Sequence, residues 1–344
     1  MLKQVLCALS VVLAGQMAAA QQISAVAVSP DGATVMVAGD NRVLYTVDAA
    51  TLDVTSRRYV PEQIRWMQYS SDGDTLFWRT QERTFAAVGL GSFKTRFSAE
   101  NISSVAYAPG ASRLLLLENN YKGGVLHLLA AHNGKNVLKL EMPELRTEDA
   151  TISDDGATAL LLTNSESSDA EEKAQPGSDL KGHAKFEFRQ QHDGYISKIV
   201  AVDLKAGTFA VASSWYRISN PSQVRMLGDA AVFVNSVSDS GTVGADGSSR
   251  LLDLGERFSS HIRISDDGES IVMSSGRDVA VHPLADGVAG APVRELEADD
   301  LPGPSERVTA MDEAADGTLY LGTSGYRLWK VAPGASEVQA APVF

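Results

Sequence analysis

The sequence predicts an all-β fold, a seven-bladed β-propeller of four-stranded antiparallel blades, and three observations predict it. A unit of apolar strand, Asp-Gly-type turn and apolar strand recurs seven times. Measured at Gly32, Gly73, Ala111, Gly156, Asp229, Gly268 and Gly317, the copies lie 41, 38, 45, 73, 39 and 49 residues apart, and seven units over residues 23–344 average 46. That average is close to the length of a four-stranded propeller blade. The segments around each turn are rich in Val, Ile, Leu, Tyr and Phe with partial alternation, as buried strands are.

Taken in order, the first unit runs from Val26 through Ser29-Pro30-Asp31-Gly32 into Thr34 to Val37, then Arg42 to Asp48. The second runs from Met67 through Ser70-Ser71-Asp72-Gly73 into Thr75 to Trp78. The third, Val105 to Leu117, replaces Pro-Asp-Gly by Pro109-Gly110-Ala111. The fourth passes Asp154-Asp155-Gly156 before Ala159 to Leu162, and the fifth is a degraded copy, Val224 to Val234, turning at Gly228-Asp229. Ile262 to Gly268 and Met311 to Gly317 open the last two. Asp tolerates the left-handed conformation and bonds its own backbone, while Gly accepts positive φ, so the pair closes a tight hairpin. With strands lettered A to D in chain order, a third strand often ends in Asp, as at Val43 to Asp48 and Ile199 to Asp203, and a fourth follows, as at Thr55 to Val60 and Phe209 to Ser213. The single long interval has a visible cause: residues 165–194 are a polar insertion in the B–C loop of blade four.

The Ser29-Pro30-Asp31-Gly32 and later Ser-Asp-Asp-Gly copies resemble the seven-bladed propellers of the YVTN and WD40-like bacterial exported type, across nearly the whole chain after residue 20. The Trp-Asp dipeptide of true WD40 repeats is absent, which favours the bacterial exported branch. Ser70 to Gly73 lacks the residue that a sialidase Asp-box places between its Asp and Gly, and that reading is set aside.

Residues 1–20 read as a signal peptide, leaving 21–344 as one propeller domain. Lys3 supplies a positive start, Val5 to Gly15 an apolar core, and Ala18-Ala19-Ala20 a small-residue cleavage site. The apolar run is too short to span a bilayer of about 30 Å, and Gln16 stands where a lipobox would need Cys. The sequence thus predicts a soluble periplasmic or secreted protein with no membrane span. The only Cys is Cys7, inside that segment, so disulfides, Cys-ligated metals and a thiol nucleophile are excluded from the processed chain. Net charge is −13, or −14 without Lys3, with 29 basic against 43 acidic residues. An acidic chain repels phosphate backbones, so nucleic acid is not an expected partner unless a local basic patch overrides the average.

In a four-stranded meander the A–B turns leave one face and the B–C and D–A connections the other. The Asp-Gly turns are short and uniform, so their face reads as structural. Every irregular feature falls opposite: the 165–194 insertion, Asn119 to Gly124 with Tyr121 and Lys122, and Ser236 to Ser249. Function concentrates on variable loops held by a rigid scaffold. The insertion is acidic over Glu166 to Asp179 and basic over Lys181 to Arg189, with His183 and His192 in its second half. It reads as a docking arm or, more simply, as a solvated loop. The central rank of strand A holds Ala27, Gln68, Ala106, Thr151, Arg225, Arg263 and Asp312. Two arginines near a pore suit a carboxylate or phosphate ligand, but an Arg263–Asp312 ion pair between blades is the simpler reading. Arg65 and His261, at strand A entrances, are placed to reach the variable face.

The six histidines form no i,i+2 or i,i+4 pair, Asp239 to Gly247 lacks calcium-loop spacing, and no P-loop, nucleophile elbow or dinucleotide fingerprint occurs. No metal or cofactor is therefore expected, and the sequence identifies no catalytic residue, leaving open whether the chain is an enzyme. Trp66, Trp78, Trp215 and Trp329 read as blade-packing residues. The function expected is a binding or scaffold module for a protein, peptide or envelope component. The alternative is a periplasmic enzyme or enzyme subunit, a lactonase-like hydrolase or dehydrogenase component, with its site at the pore mouth.

Overall fold

A computed structural model describes residues 22–343 except 121–122, 144, 146, 167–194, 217–220, 229, 236–239, 245, 247, 253–260, 266–267, 277, 286–287, 297–305 and 336. The described residues form seven antiparallel sheets, each following chain order from A to D, arranged as a seven-bladed propeller. Blade one comprises Ile23–Val28, Thr34–Gly39, Val43–Asp48 and Val54–Tyr59. The A strands of blades two to seven are Ile64–Tyr69, Ile102–Ala108, Thr147–Ile152, Pro221–Leu227, His261–Ile264 and Val308–Glu313. They lie innermost, around a central channel. In blade six the outermost strand is broken, Val288–Ala289 and Arg294–Leu296 both pairing with Asp278–Ala285.

The recurring turn is held by one side-chain device. Ser29 Oγ accepts from Thr34 N (2.9 Å) and donates to Asp31 Oδ1 (2.5 Å), which also accepts from Ala33 N (3.0 Å). Ser70 and Asp72 repeat this with Thr75 and Asp74, and Ser153 and Asp155 repeat it with Thr158 and Ala157. The residue after each Asp must be left-handed: Gly32, Gly73 and Gly156 have φ of 68°, 74° and 66°. Blade three departs from this. There the left-handed residue is Ser112 (φ 49°), and Gly110 N donates to Asp154 of blade four instead.

Core packing lies between blades rather than within them. Among the described residues the buried apolar side chains fall into seven clusters, each shared by two neighbouring blades. Trp78 is buried between blades one and two, Trp66 packs between two and three, and Trp329 is fully buried between six and seven. The Trp215 side chain lies outside the described residues.

Among the described residues the ring closes by packing, with no strand exchanged between blades one and seven. Blade seven keeps its own outer strand, Gln339–Pro342. Ile23, Val26, Val35 and Val37 of blade one pack with Ala310, Tyr320, Leu328 and Val343 of blade seven. Gly322 lies against Ile23, and Gly39 against the Tyr326 ring, so closure depends on two positions without a Cβ. The Tyr326 hydroxyl donates to Asp40 Oδ1 (2.6 Å) and accepts from Asn41 N (2.9 Å).

The expected 165–194 insertion begins two residues late. The hairpin of blade four continues through Ser165 and Glu166, and Glu166 pairs with Tyr195. Residues 167–194 join those paired ends.

Candidate functional site

The channel has a volume of about 1030 Å³ and is lined mainly by the A strands. Each A strand runs from the rim that carries the B–C and D–A connections, the loop rim, to the rim that carries the Asp-Gly turns. A β-bulge recurs at its loop-rim end in blades one to five and seven, leaving Ser24, Arg65, Ser103, Glu148, Ser222 and Thr309 unpaired in register. A bulge adds one residue to one strand and re-aims a side chain. Ser24, Arg65, Ser103, Glu148 and Thr309 line the channel in consequence.

Deeper in, carboxylates tie neighbouring blades together. Asp149 of blade four accepts from Ser104 Oγ of blade three (2.6 Å), and from Val224 N (3.0 Å) and Arg225 Nη1 (2.9 Å) of blade five. Asp312 of blade seven pairs with Arg263 Nη1 of blade six (2.7 Å) and accepts from Val28 N of blade one (2.7 Å). Arg263 Nε also stands 3.7 Å from Glu313. The carboxylates of these pairs cap backbone N–H groups that have no ladder partner, so the pairs fix blade spacing while satisfying buried polar groups.

The predicted residues separate accordingly. Of the strand A rank, Gln68, Ala106, Thr151, Arg225, Arg263 and Asp312 line the channel, whereas Ala27 turns into the core between blades one and two. Arg225 and Arg263 are engaged in ion pairs between blades, the structural role weighed for them above. His261 lines the channel near its loop-rim end. Burial pulls its imidazole down to about 4, Arg225 adds repulsion, and a hydrogen bond to the Thr309 backbone opposes both. It is therefore neutral at pH 7. Arg65 is exposed at the mouth, where Nη2 donates to Gln81 Oε1 at 2.8 Å. Tyr121, Lys122, His183 and His192 lie outside the described residues. Among the described residues no group of three or more His, Cys, Asp or Glu side chains is placed to hold a metal ion.

Arg79 and Arg83, in the same blade as Arg65, were not singled out by the sequence reading. Arg79 lies in strand Thr75–Thr80 opposite Trp66, and lines the channel. The register places it level with Ala38, Leu117, Leu162, Val234, Ser274 and Gly322 of the other blades. It is the one charged residue in a rank of small, polar and apolar ones. Its Nε is buried without a hydrogen-bond partner. Burial pulls its guanidinium below the ordinary arginine range, Asp149 opposes this, and Arg83 and Arg65 reinforce it. The signal that finds Arg79 is alignment of the second strands as well as the first.

No protein-family model matches the chain, and no curated protein matches it.

Proposed function

We propose that this chain is an exported propeller related to the YVTN and WD40-like bacterial repeat proteins, processed after Ala20, that binds a protein, peptide or envelope component through its loop rim. The observation that carries the proposal is the asymmetry of the two rims. On the turn rim, serine and aspartate side chains of blades one, two and four bond each other and the turn's own backbone, which leaves those groups occupied within their turns. The loop rim holds Glu166 and Tyr195, the paired ends between which 28 residues of chain run, and the bulged mouth of the channel. A rigid frame whose longest connection and bulged channel mouth fall on one rim supports a recognition role there. The engagement of Asp149, Asp312, Arg225 and Arg263 between blades favours a structural over a catalytic use of the channel's central charges. Among the described residues no helix is long and apolar enough to cross a membrane.

Affinity capture from the envelope fraction tests the proposal, using the full chain, a deletion of 167–194 and the turn-rim variant Ser70→Ala. The expected result is a partner held by the full chain and Ser70→Ala and lost from the deletion, with the recovered chain beginning at Gln21. A partner lost from folded Ser70→Ala and kept by the deletion would reverse the assignment of the faces, and a chain retaining Met1 would remove the export reading.

A further inference from the structure

We infer that Arg65, Arg79 and Arg83 form a binding site for a multiply charged oxyanion, a phosphate or dicarboxylate group, at the loop-rim mouth of the channel between blades two and three. The first ground is position. Arg65 is the bulge residue of the blade-two inner strand, Arg79 is on the second strand opposite the neighbouring Trp66, and Arg83 lies in the connection that follows. Arg65 and Arg79 line the channel, Arg83 lies near enough to act on the Arg79 guanidinium electrostatically, and Arg83 C=O accepts from Ile102 N (2.8 Å), holding that connection against blade three.

The second ground is that none of the three has a carboxylate. Among the described residues, the ion pairs of this region and of the channel engage Arg225 and Arg263, whereas Arg65, Arg79 and Arg83 enter none. Asp149, the acid that acts on Arg79 electrostatically, is already held by Arg225, Val224 N and Ser104. In a chain of net charge −13, three arginines of one blade without a carboxylate partner depart from the average.

The third ground is the cost of placing Arg79 where it is. The equivalent position holds Leu117 in blade three and Leu162 in blade four, both about as buried as a side chain can be. Arg79 instead carries a buried Nε with no acceptor. Burying an unpaired donor or charge is unfavourable, and a bound oxyanion removes that penalty by accepting bidentately from guanidinium forks. Ser103 and Ser104 of blade three line the same end of the channel. The inference deepens the loop-rim binding role and rests on it for its purpose, an anionic group on the partner being what the arginines would hold.

The test needs no partner. Inorganic phosphate and succinate are titrated separately into the full chain at low ionic strength, by calorimetry and by shift of the unfolding midpoint. The variants are Arg79→Leu, Arg65→Gln and, as a charge-matched control, the exposed Arg307→Gln. Saturable binding of at least one anion is expected, weakened about tenfold or more by Arg79→Leu, less by Arg65→Gln and not by Arg307→Gln. The Arg79→Leu chain should unfold at a urea concentration no lower than the parent, because Leu is what neighbouring blades use there. Binding of phosphate alone or succinate alone identifies the source of the anion and supports the site. Absence of binding by either anion overturns it, as does equal loss in Arg79→Leu and Arg307→Gln, or an Arg79→Leu chain that loses stability with no anion bound to the parent. Failure here leaves partner capture through 167–194 intact as a separate result.

Discussion

His261 is the residue whose environment most directly links structure to solution behaviour. Its folded value of about 4 lies below the ordinary histidine value near 6.5. The unfolded chain therefore binds a proton that the native imidazole refuses. The stability this confers is fully present above about pH 6.5 and is lost as pH falls toward 4. The shift corresponds to about 3 kcal/mol over that window. Asp31, Asp72, Asp155 and Asp316 act in the same direction at lower pH. Hydrogen bonds from Ser29, Ser70 and Ser153 hold the first three below the usual carboxylate range, and the Thr318 backbone does so for Asp316. Their contribution is present above the unfolded carboxylate value and lost as pH falls through the depressed one. Urea midpoints measured from pH 7 to pH 4 should fall in the parent, and His261→Gln should flatten the part of that fall between pH 6.5 and 4.5 while leaving the acid limb in place.

At the scale of the element, the Ser-x-Asp-Gly turn is a self-contained unit whose energetics can be read one bond at a time. Ser70 is buried and both accepts from Thr75 N and donates to Asp72. Ser70→Ala should cost about 1 kcal/mol in urea unfolding. Blade seven carries Ala314 in place of the serine and closes a turn one residue shorter, through Ala314 N to Thr318 O and Thr318 N to Asp316 Oδ1. Ala314→Ser should then gain a few tenths to about 1 kcal/mol. A loss there would mean that the blade-seven turn cannot accept the hydroxyl. These turns were legible in the sequence because their chemistry is local: Ser, Asp and Gly stand within four positions and need no distant partner. The bulges were not. A single inserted residue leaves apolar alternation readable on either side, so Ser24, Arg65 and Ser103 look like ordinary strand residues until cross-strand register is known. Arg79 had a signal, a charge in an otherwise uncharged rank, visible only when the second strands of all seven blades are aligned.

At the scale of the whole molecule, each apolar cluster belongs to two blades, so no blade has a core of its own. Blade number and ring order were legible from repeat spacing. The ties between blades through Asp149 and Asp312 were only partly so. The Arg263–Asp312 pair follows from two charges in one rank, but Asp149 lies one pair of residues nearer the loop rim, outside the rank considered. Closure has the same character as every other seam, with polar bonds from Tyr326, Tyr320, Lys330 and the Val28 N–Asp312 pair. Removing residues 338–344 takes away the outer strand of blade seven and the fully buried Val343. That truncation should lower the urea midpoint of the entire ring in one transition. Survival of a parent-like midpoint, or a separate early transition confined to blade seven, would show that the seam is not coupled to the rest.

The direction of the strands carries a practical consequence for anyone handling this protein. Ile23 opens an inner strand and Pro342 ends an outer one, and both of those strand ends lie on the same side as the channel mouth. An affinity handle or surface tether fused to either terminus would crowd the side assigned here to recognition. The exposed Gly91-Ser92 pair, in the turn between Phe85–Gly89 and Lys94–Ala99 on the far side, is the better point of attachment.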